Sequence, residues 1–172
     1  MRGHVILSHG SNSSPEATKV SALAALAESL GWSTQRPDYR DDDARGHGAS
    51  VAPRIARLRA TIEALDMPPL LVGSSTGAFV SALVSLDVPV AGLLLLATPA
   101  TIPGCAHELD MRLHVPTMLI HGWRDTVCPL SALQRRVARR RLPLLVLDDD
   151  HRLGASAAPI AAHLRLLLAQ LA

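Results

Sequence analysis

One short segment of the chain has the spacing of a nucleophile on a tight turn: Gly73-Ser74-Ser75-Thr76-Gly77. It follows an apolar run, Pro69–Gly73, and opens a helical one, Gly77–Leu86. That strand–turn–helix context is what a G-x-S-x-G elbow requires. On such a turn the central serine has strained backbone angles. The residues two before and two after it crowd together, so both must be small, and here both are glycine. The turn lifts the Ser75 hydroxyl above the strand ends. It also aims the Thr76 backbone N–H and the helix N-terminus at the same spot, which favours developing negative charge. A phosphate-binding turn is the competing reading. A P-loop needs G-x-x-x-x-G-K-[ST], and this segment has no lysine.

A serine nucleophile needs a base, and the base needs an acid that orients it. His151 follows an apolar run, within Asp148-Asp149-Asp150-His151-Arg152. Asp125 follows another, within His121-Gly122-Trp123-Arg124-Asp125. Asp148, Asp149 and Asp150 rival Asp125 as the acid. A side chain directly beside His151 struggles to reach its Nδ1, so Asp125 is preferred. The aspartate run then reads as a solvated loop adding negative potential. An oxyanion hole needs a second N–H, from the loop after the first strand. His9-Gly10-Ser11 occupies that place, with the Ser11 N–H as donor. Ser14 and Pro15 also suit the N-cap and first position of the following helix.

The elements that must position these groups follow from periodicity. At 172 residues one domain over 1–172 is expected. Strands are predicted at His4–Ser8, Ser33–Arg36, Pro69–Gly73, Ala91–Ala97, Pro116–His121 and Pro143–Leu147. Helices are predicted at Pro15–Leu30, Val51–Leu65, Gly77–Leu86, Leu130–Arg141 and Ala157–Leu171. In Val51–Leu65 the apolar face is Ile55, Leu58, Ile62 and Leu65, with Arg54, Arg57 and Arg59 elsewhere. Asp38–Ser50 reads as a loop. Strands alternating with helices imply a parallel sheet covered on both faces. A site then lies beyond the carboxyl ends of the strands.

Taken together, these pieces resemble the α/β-hydrolase family of serine hydrolases. The matching landmarks are His9-Gly10-Ser11, the D-x-R-G-x-G-x-S loop Asp43–Ser50, Gly73–Gly77, His121–Asp125 and Asp150-His151, in family order. The sequence is most similar to small lidless bacterial hydrolases, many of them esterases. The stretch Ser8–Pro15 is similar to a small-esterase subgroup. The resemblance implies a minimal α/β fold of six parallel strands in the order 2-1-3-4-5-6, flanked by helices. It implies a triad of Ser75, Asp125 and His151, with the Ser11 and Thr76 amides as oxyanion hole. The dienelactone-hydrolase relatives carry cysteine where this chain has Ser75. The family's usual first two strands are absent. Only Thr98–Val115 stands where a lid is often inserted, enough for a loop and a short helix.

Composition narrows the partners. Net charge is +2 and only Trp32, Tyr39, Phe79 and Trp123 are aromatic. That argues against nucleic acid. The uncharged stretch Val88–Ala106 is broken by prolines and glycines, so no membrane partner is expected. Two cysteines, Cys105 and Cys128, are too few for a disulfide scaffold, and a reduced, cytoplasmic protein is expected. Arg135, Arg136, Arg139, Arg140 and Arg141 read as a solvated helix end complementing the dipole. Asp41, Asp42, Asp43 and His47 lack a metal-ligand spacing, so no metal is expected, and no cofactor either. Trp123 is a candidate substrate contact. The expected reaction is hydrolysis of a small ester or thioester through an acyl-enzyme. Peptidase or perhydrolase chemistry on the same triad, or a non-catalytic binding module on the same fold, are the alternatives. Oligomeric state and natural acyl group are not legible.

Overall fold

The computed structural model describes residues 2–172. The strands are β1 (His4–Ser8), β2 (Ser33–Gln35), β3 (Leu70–Ser74), β4 (Gly92–Leu96), β5 (Thr117–Gly122) and β6 (Leu144–Leu147). The helices are α1 (Thr18–Ser29), α2 (Arg40–Asp43), α3 (Val51–Glu63), α4 (Thr76–Asp87), α5 (Leu130–Arg140) and α6 (Ala157–Leu171), with one 3-10 turn at Gly154–Ser156. The strands form one sheet in the order β2-β1-β3-β4-β5-β6, with every pair parallel. This is the expected minimal, lidless α/β architecture.

Parallel strands need helical crossovers, which cover both faces of the sheet. The apolar runs obey that demand. All five residues of β4 are buried. On one face α3, α4 and α5 bring Val51, Leu58, Phe79, Val80, Leu133 and Val137 against Ile6, Leu71, Leu93 and Leu95. On the other, α1 and α6 bring Leu23, Ala27, Ile160 and Leu164 against Val5, Leu7, Leu94 and Leu96. Alternate residues of one strand therefore feed two separate apolar layers.

Four local expectations are corrected. Asp38–Ser50 is not all loop, because Arg40–Asp43 makes a single turn of helix. Thr98–Val115 holds no helix. A bridge between Thr101 and Glu108 closes part of it into a turn, and Ile102, Leu109 and Met111 are buried against the core. Ser14 does not cap α1, which starts three residues past Pro15. The Ser14 hydroxyl accepts the Glu16 N–H in a preceding turn. Arg54 does not face away from the apolar stripe of α3. It is buried with Val51, Leu58 and Ile62. Among the described residues no helix is long and apolar enough to cross a membrane.

Candidate active site

The site is built on the turn from β3 into α4. Ser75 sits at φ +53°, ψ −120°, a left-handed backbone that side chains other than glycine rarely adopt. Such strain costs of order 1–3 kcal/mol and persists only where the surroundings impose it. The surroundings do so here. The Ser75 N–H donates to the Leu96 carbonyl at 2.8 Å, and its own carbonyl accepts from Ala78 and Phe79. A Cβ on Gly73 would stand 2.5 Å from the Ala78 Cα, and one on Gly77 would stand 2.2 Å from the Ser8 carbonyl oxygen. Both glycines are therefore required by backbone, as the spacing predicted.

The turn presents the Ser75 hydroxyl to His151, whose Nε2 lies 3.0 Å from Oγ. The other ring nitrogen, Nδ1, lies 2.7 Å from Asp125 Oδ2. Asp125 is buried, and its second oxygen accepts the N–H groups of Val127 and Cys128 at 2.9 and 2.7 Å. With one carboxylate oxygen taken by backbone, the other faces Nδ1. A neutral ring has one donor and one acceptor. Donation from Nδ1 leaves the Nε2 lone pair toward the Ser75 hydroxyl. Three residues spread over the chain from 75 to 151 thus meet in one hydrogen-bonded line.

The oxyanion candidates lie beside it. The Ser11 and Thr76 hydroxyls are hydrogen-bonded to each other at 2.8 Å, which ties the loop after β1 to the start of α4. Thr76 is the first residue of α4, so its N–H has no acceptor within the helix. Trp123 stands in the turn after β5 and is 61% exposed.

The aspartate run is not simply solvated. Asp148 is exposed and pairs with Arg124. Asp149 is buried and accepts from the Ser156 hydroxyl at 2.7 Å, which ties the His151 loop to the turn before α6. Asp150 accepts the Arg152 N–H. Local hydrogen bonds, including the Asp150 N–H to Asp149 at 2.8 Å, absorb two of the three carboxylates.

Two buried groups escaped the sequence reading. His121, at the end of β5, donates Nε2–H to the Cys128 carbonyl at 2.7 Å and stands 3.3 Å from Asp125 Oδ2. Among the described residues its buried Nδ1 has no partner. Arg54 is wholly buried. It forks onto Asp43 at 2.7 and 2.6 Å and donates to the carbonyls of His9 and Gly10 at 2.8 and 3.2 Å. The Tyr39 ring lies 4.5 Å from its guanidinium carbon. A signal for Arg54 was present: it stands three residues after Val51 and four before Leu58, on the apolar stripe itself.

The same contacts answer the question of a metal. Asp42 and Asp43 are each paired with an arginine, Arg57 and Arg54. Ligand atoms of Asp125, Cys128 and His151 lie within 4.8 Å of one another. Burial, with Asp125 beside it, pushes the Cys128 thiol up to about 12, so it stays protonated. The carboxylate is already engaged by His151 and two amides. That donor set suits hydrogen bonding better than a metal, which Cys128 could bind only as the thiolate.

Two histidines near the site are expected to make stability depend on pH. His9 accepts the Tyr39 N–H on Nε2 and donates from Nδ1 to the Gly10 carbonyl, so it is held neutral. Burial lowers the pKa of both His9 and His121 below the ordinary value of 6.5. Between the folded and unfolded values the unfolded chain binds more protons, so stability rises with pH there. This contribution is complete above about 6.5 and is lost progressively as pH falls below it. Thermal midpoints measured from pH 8 to pH 5 are expected to hold and then drop below that point. A His9→Asn, His121→Asn double variant that keeps the same drop would refute the assignment.

Comparison with solved structures gives a consistent picture. The chain is 39% identical to a protein of the alpha/beta hydrolase superfamily from Xanthomonas campestris pv. campestris, covering 98% of this chain and 99% of that one, with a TM-score of 0.91. It is 19% identical to mouse alpha/beta hydrolase domain-containing protein 10, over 98% of this chain and 90% of that one, with a TM-score of 0.79. A serine hydrolase without lid from Xanthomonas campestris is 16% identical, over 98% and 82% of the two chains, with a TM-score of 0.75. The last two likenesses are likenesses of fold. No family model and no curated protein matches the sequence.

Proposed function

The chain belongs to the α/β-hydrolase superfamily, and from that premise we propose that it is a serine hydrolase cleaving a small carboxylic ester or thioester. The observation that carries this reading is the line Ser75 Oγ, His151 Nε2, His151 Nδ1, Asp125 Oδ2, at 3.0 and 2.7 Å.

Ser75 Oγ attacks the acyl carbon while His151 Nε2 takes its proton. Asp125 holds the ring in the Nδ1–H tautomer and stabilises the imidazolium. The carbonyl oxygen gains negative charge, to which the Ser11 N–H and the Thr76 N–H at the α4 N-terminus donate hydrogen bonds. The tetrahedral species collapses, the carbon–oxygen or carbon–sulfur bond breaks, and His151 returns the proton to the leaving group. Water then repeats the sequence on the acyl-enzyme and frees the acid and Ser75. Every proton and electron pair is accounted for by these groups and water, so the reaction draws on no cofactor.

A lidless site supports small soluble acyl groups as substrates, since it offers no cover for a long chain. Trp123, at the rim, is the proposed contact for the substrate's non-reacting part. Trp123→Ala is expected to raise KM several-fold with kcat unchanged. Because the ring is exposed, stability should move by less than about 0.5 kcal/mol. An unchanged KM would remove Trp123 from the substrate contacts.

A fluorophosphonate probe tests the reading as a whole. The expected product is one adduct, located on Ser75 by mass spectrometry and absent from Ser75→Ala. No adduct on folded protein, or an adduct elsewhere, would overturn it. p-Nitrophenyl esters of rising chain length then test substrate size, and a preference for chains beyond about ten carbons would contradict a small acyl group.

A further inference from the structure

We propose that Arg54 is a positioning residue for the oxyanion hole: its buried guanidinium clamps the His9 and Gly10 carbonyls and thereby orients the Ser11 N–H. This rests on the serine-hydrolase reading above.

The argument begins with peptide planarity. A trans peptide unit carries its C=O and the next residue's N–H in one plane, pointing in opposite directions. The Gly10 carbonyl and the Ser11 N–H belong to one such unit. Whatever pins that carbonyl on one side of the loop presents the Ser11 N–H on the other. The carbonyl is held twice, by Arg54 at 3.2 Å and by His9 Nδ1 at 2.8 Å. The preceding carbonyl, of His9, is held by a second Arg54 nitrogen at 2.8 Å. Two successive carbonyls of the loop are thus drawn to one cation below it.

A flexible Gly10 would otherwise let this peptide turn over. Glycine visits both signs of φ freely, so the loop's own sequence does not select an orientation. A cation does, because a carbonyl oxygen is attracted to it and an N–H is repelled. Around a buried guanidinium that discrimination is only weakly screened by water.

The clamp is itself fixed from two sides, and Tyr39 ties it to the loop. Asp43 grips the guanidinium bidentately at 2.7 and 2.6 Å. The Tyr39 ring covers its face at 4.5 Å. The Tyr39 N–H donates to His9 Nε2 at 3.0 Å, which sets the His9 tautomer that donates to Gly10. The Tyr39 hydroxyl closes the set on Ser8 at 2.9 Å. Only a planar fork satisfies a carboxylate and two carbonyls together, which lysine cannot do. Asp43 belongs to the loop segment Asp43–Ser50 singled out by sequence, and this gives that aspartate a task at the site 11 residues before Arg54 in sequence.

Arg54→Lys tests the proposal. Active sites are first counted by fluorophosphonate titration, so that kcat is expressed per reactive serine. Losing one oxyanion donor lowers kcat by about 10²–10³-fold. Arg54→Lys is expected to lower kcat per labelled site by about 10²-fold with KM nearly unchanged. Affinity for a trifluoromethyl ketone, which forms a tetrahedral oxyanion on serine, should fall by a similar factor. A purely structural role would instead reduce the number of labelled sites and leave both per-site values as in the parent protein, and that result overturns the proposal. Should Arg54→Lys not fold, the same per-site values are read on Asp43→Asn, which keeps the guanidinium but weakens its anchor. A loss of kcat and ketone affinity there supports the clamp, and unchanged values overturn it. If the parent protein takes no label, the serine-hydrolase reading has failed, which is a different result from a labelled parent with an indifferent variant.

Discussion

Ser75→Ala is expected to lower kcat by about 10⁶-fold while the fold survives. The substitution removes one oxygen and keeps Cβ. The backbone at φ +53° is held by the bond to Leu96 and by the first turn of α4, neither of which involves the hydroxyl. The loss is expected to be large because the proposed mechanism uses the three groups as a unit. Without a nucleophile, His151 has no proton to take and Asp125 no charge to stabilise. A residual acceleration of about 10³–10⁴ over water would come from the oxyanion donors and binding alone. The measurement is kcat on a p-nitrophenyl ester, with circular dichroism and thermal midpoint as controls. Retention of more than one-hundredth of parental kcat by folded protein would exclude Ser75 as the nucleophile.

Gly77→Ala is expected to have the largest effect on stability. Its new Cβ would stand 2.2 Å from the Ser8 carbonyl oxygen and 2.6 Å from that of His9. Both obstacles are backbone, so no side chain can rotate aside. α4 must move away from β1, and the turn that strains Ser75 moves with it. Overpacking where side chains can adjust costs about 1–3 kcal/mol, and here adjustment is barred, so about 3 kcal/mol is a lower expectation. Gly154→Ala is the matched control. A Cβ there meets nothing within 4 Å, so its effect should stay within about 0.5 kcal/mol. Urea unfolding of both variants reads the difference directly. Equal midpoints would mean that the approach of α4 to β1 is not tight.

Much of this was legible in sequence because it rests on local rules. Alternation of apolar runs with amphipathic segments predicted six parallel strands, since a strand buried on both faces must be apolar throughout. The elbow was legible because G-x-S-x-G, common by chance on its own, here joins an apolar strand to a helix and is followed in order by Asp125 and His151. What escaped was of another kind. Arg54 was placed on the polar face of α3 because arginine is ordinarily exposed, and only its tertiary partners reverse that rule. The short helix Arg40–Asp43 carries no apolar periodicity, and its Asp42 and Asp43 are neutralised by arginines on the next helix. The aspartate run looked solvated because composition says nothing of Ser156 folding back onto Asp149.

The sequence by itself determined the layers, the strand types and the three candidate residues, because each depends on neighbours within a few positions or on motifs read in order. Only the tertiary structure decided that His151 Nδ1 faces Asp125 rather than its own adjacent aspartates. It alone showed that a buried cation lies beneath the loop after β1. Those facts depend on where the ends of parallel strands converge, and so on contacts between residues tens of positions apart. Side-chain direction at such a junction is set by packing and electrostatics across the sheet, which no local pattern encodes.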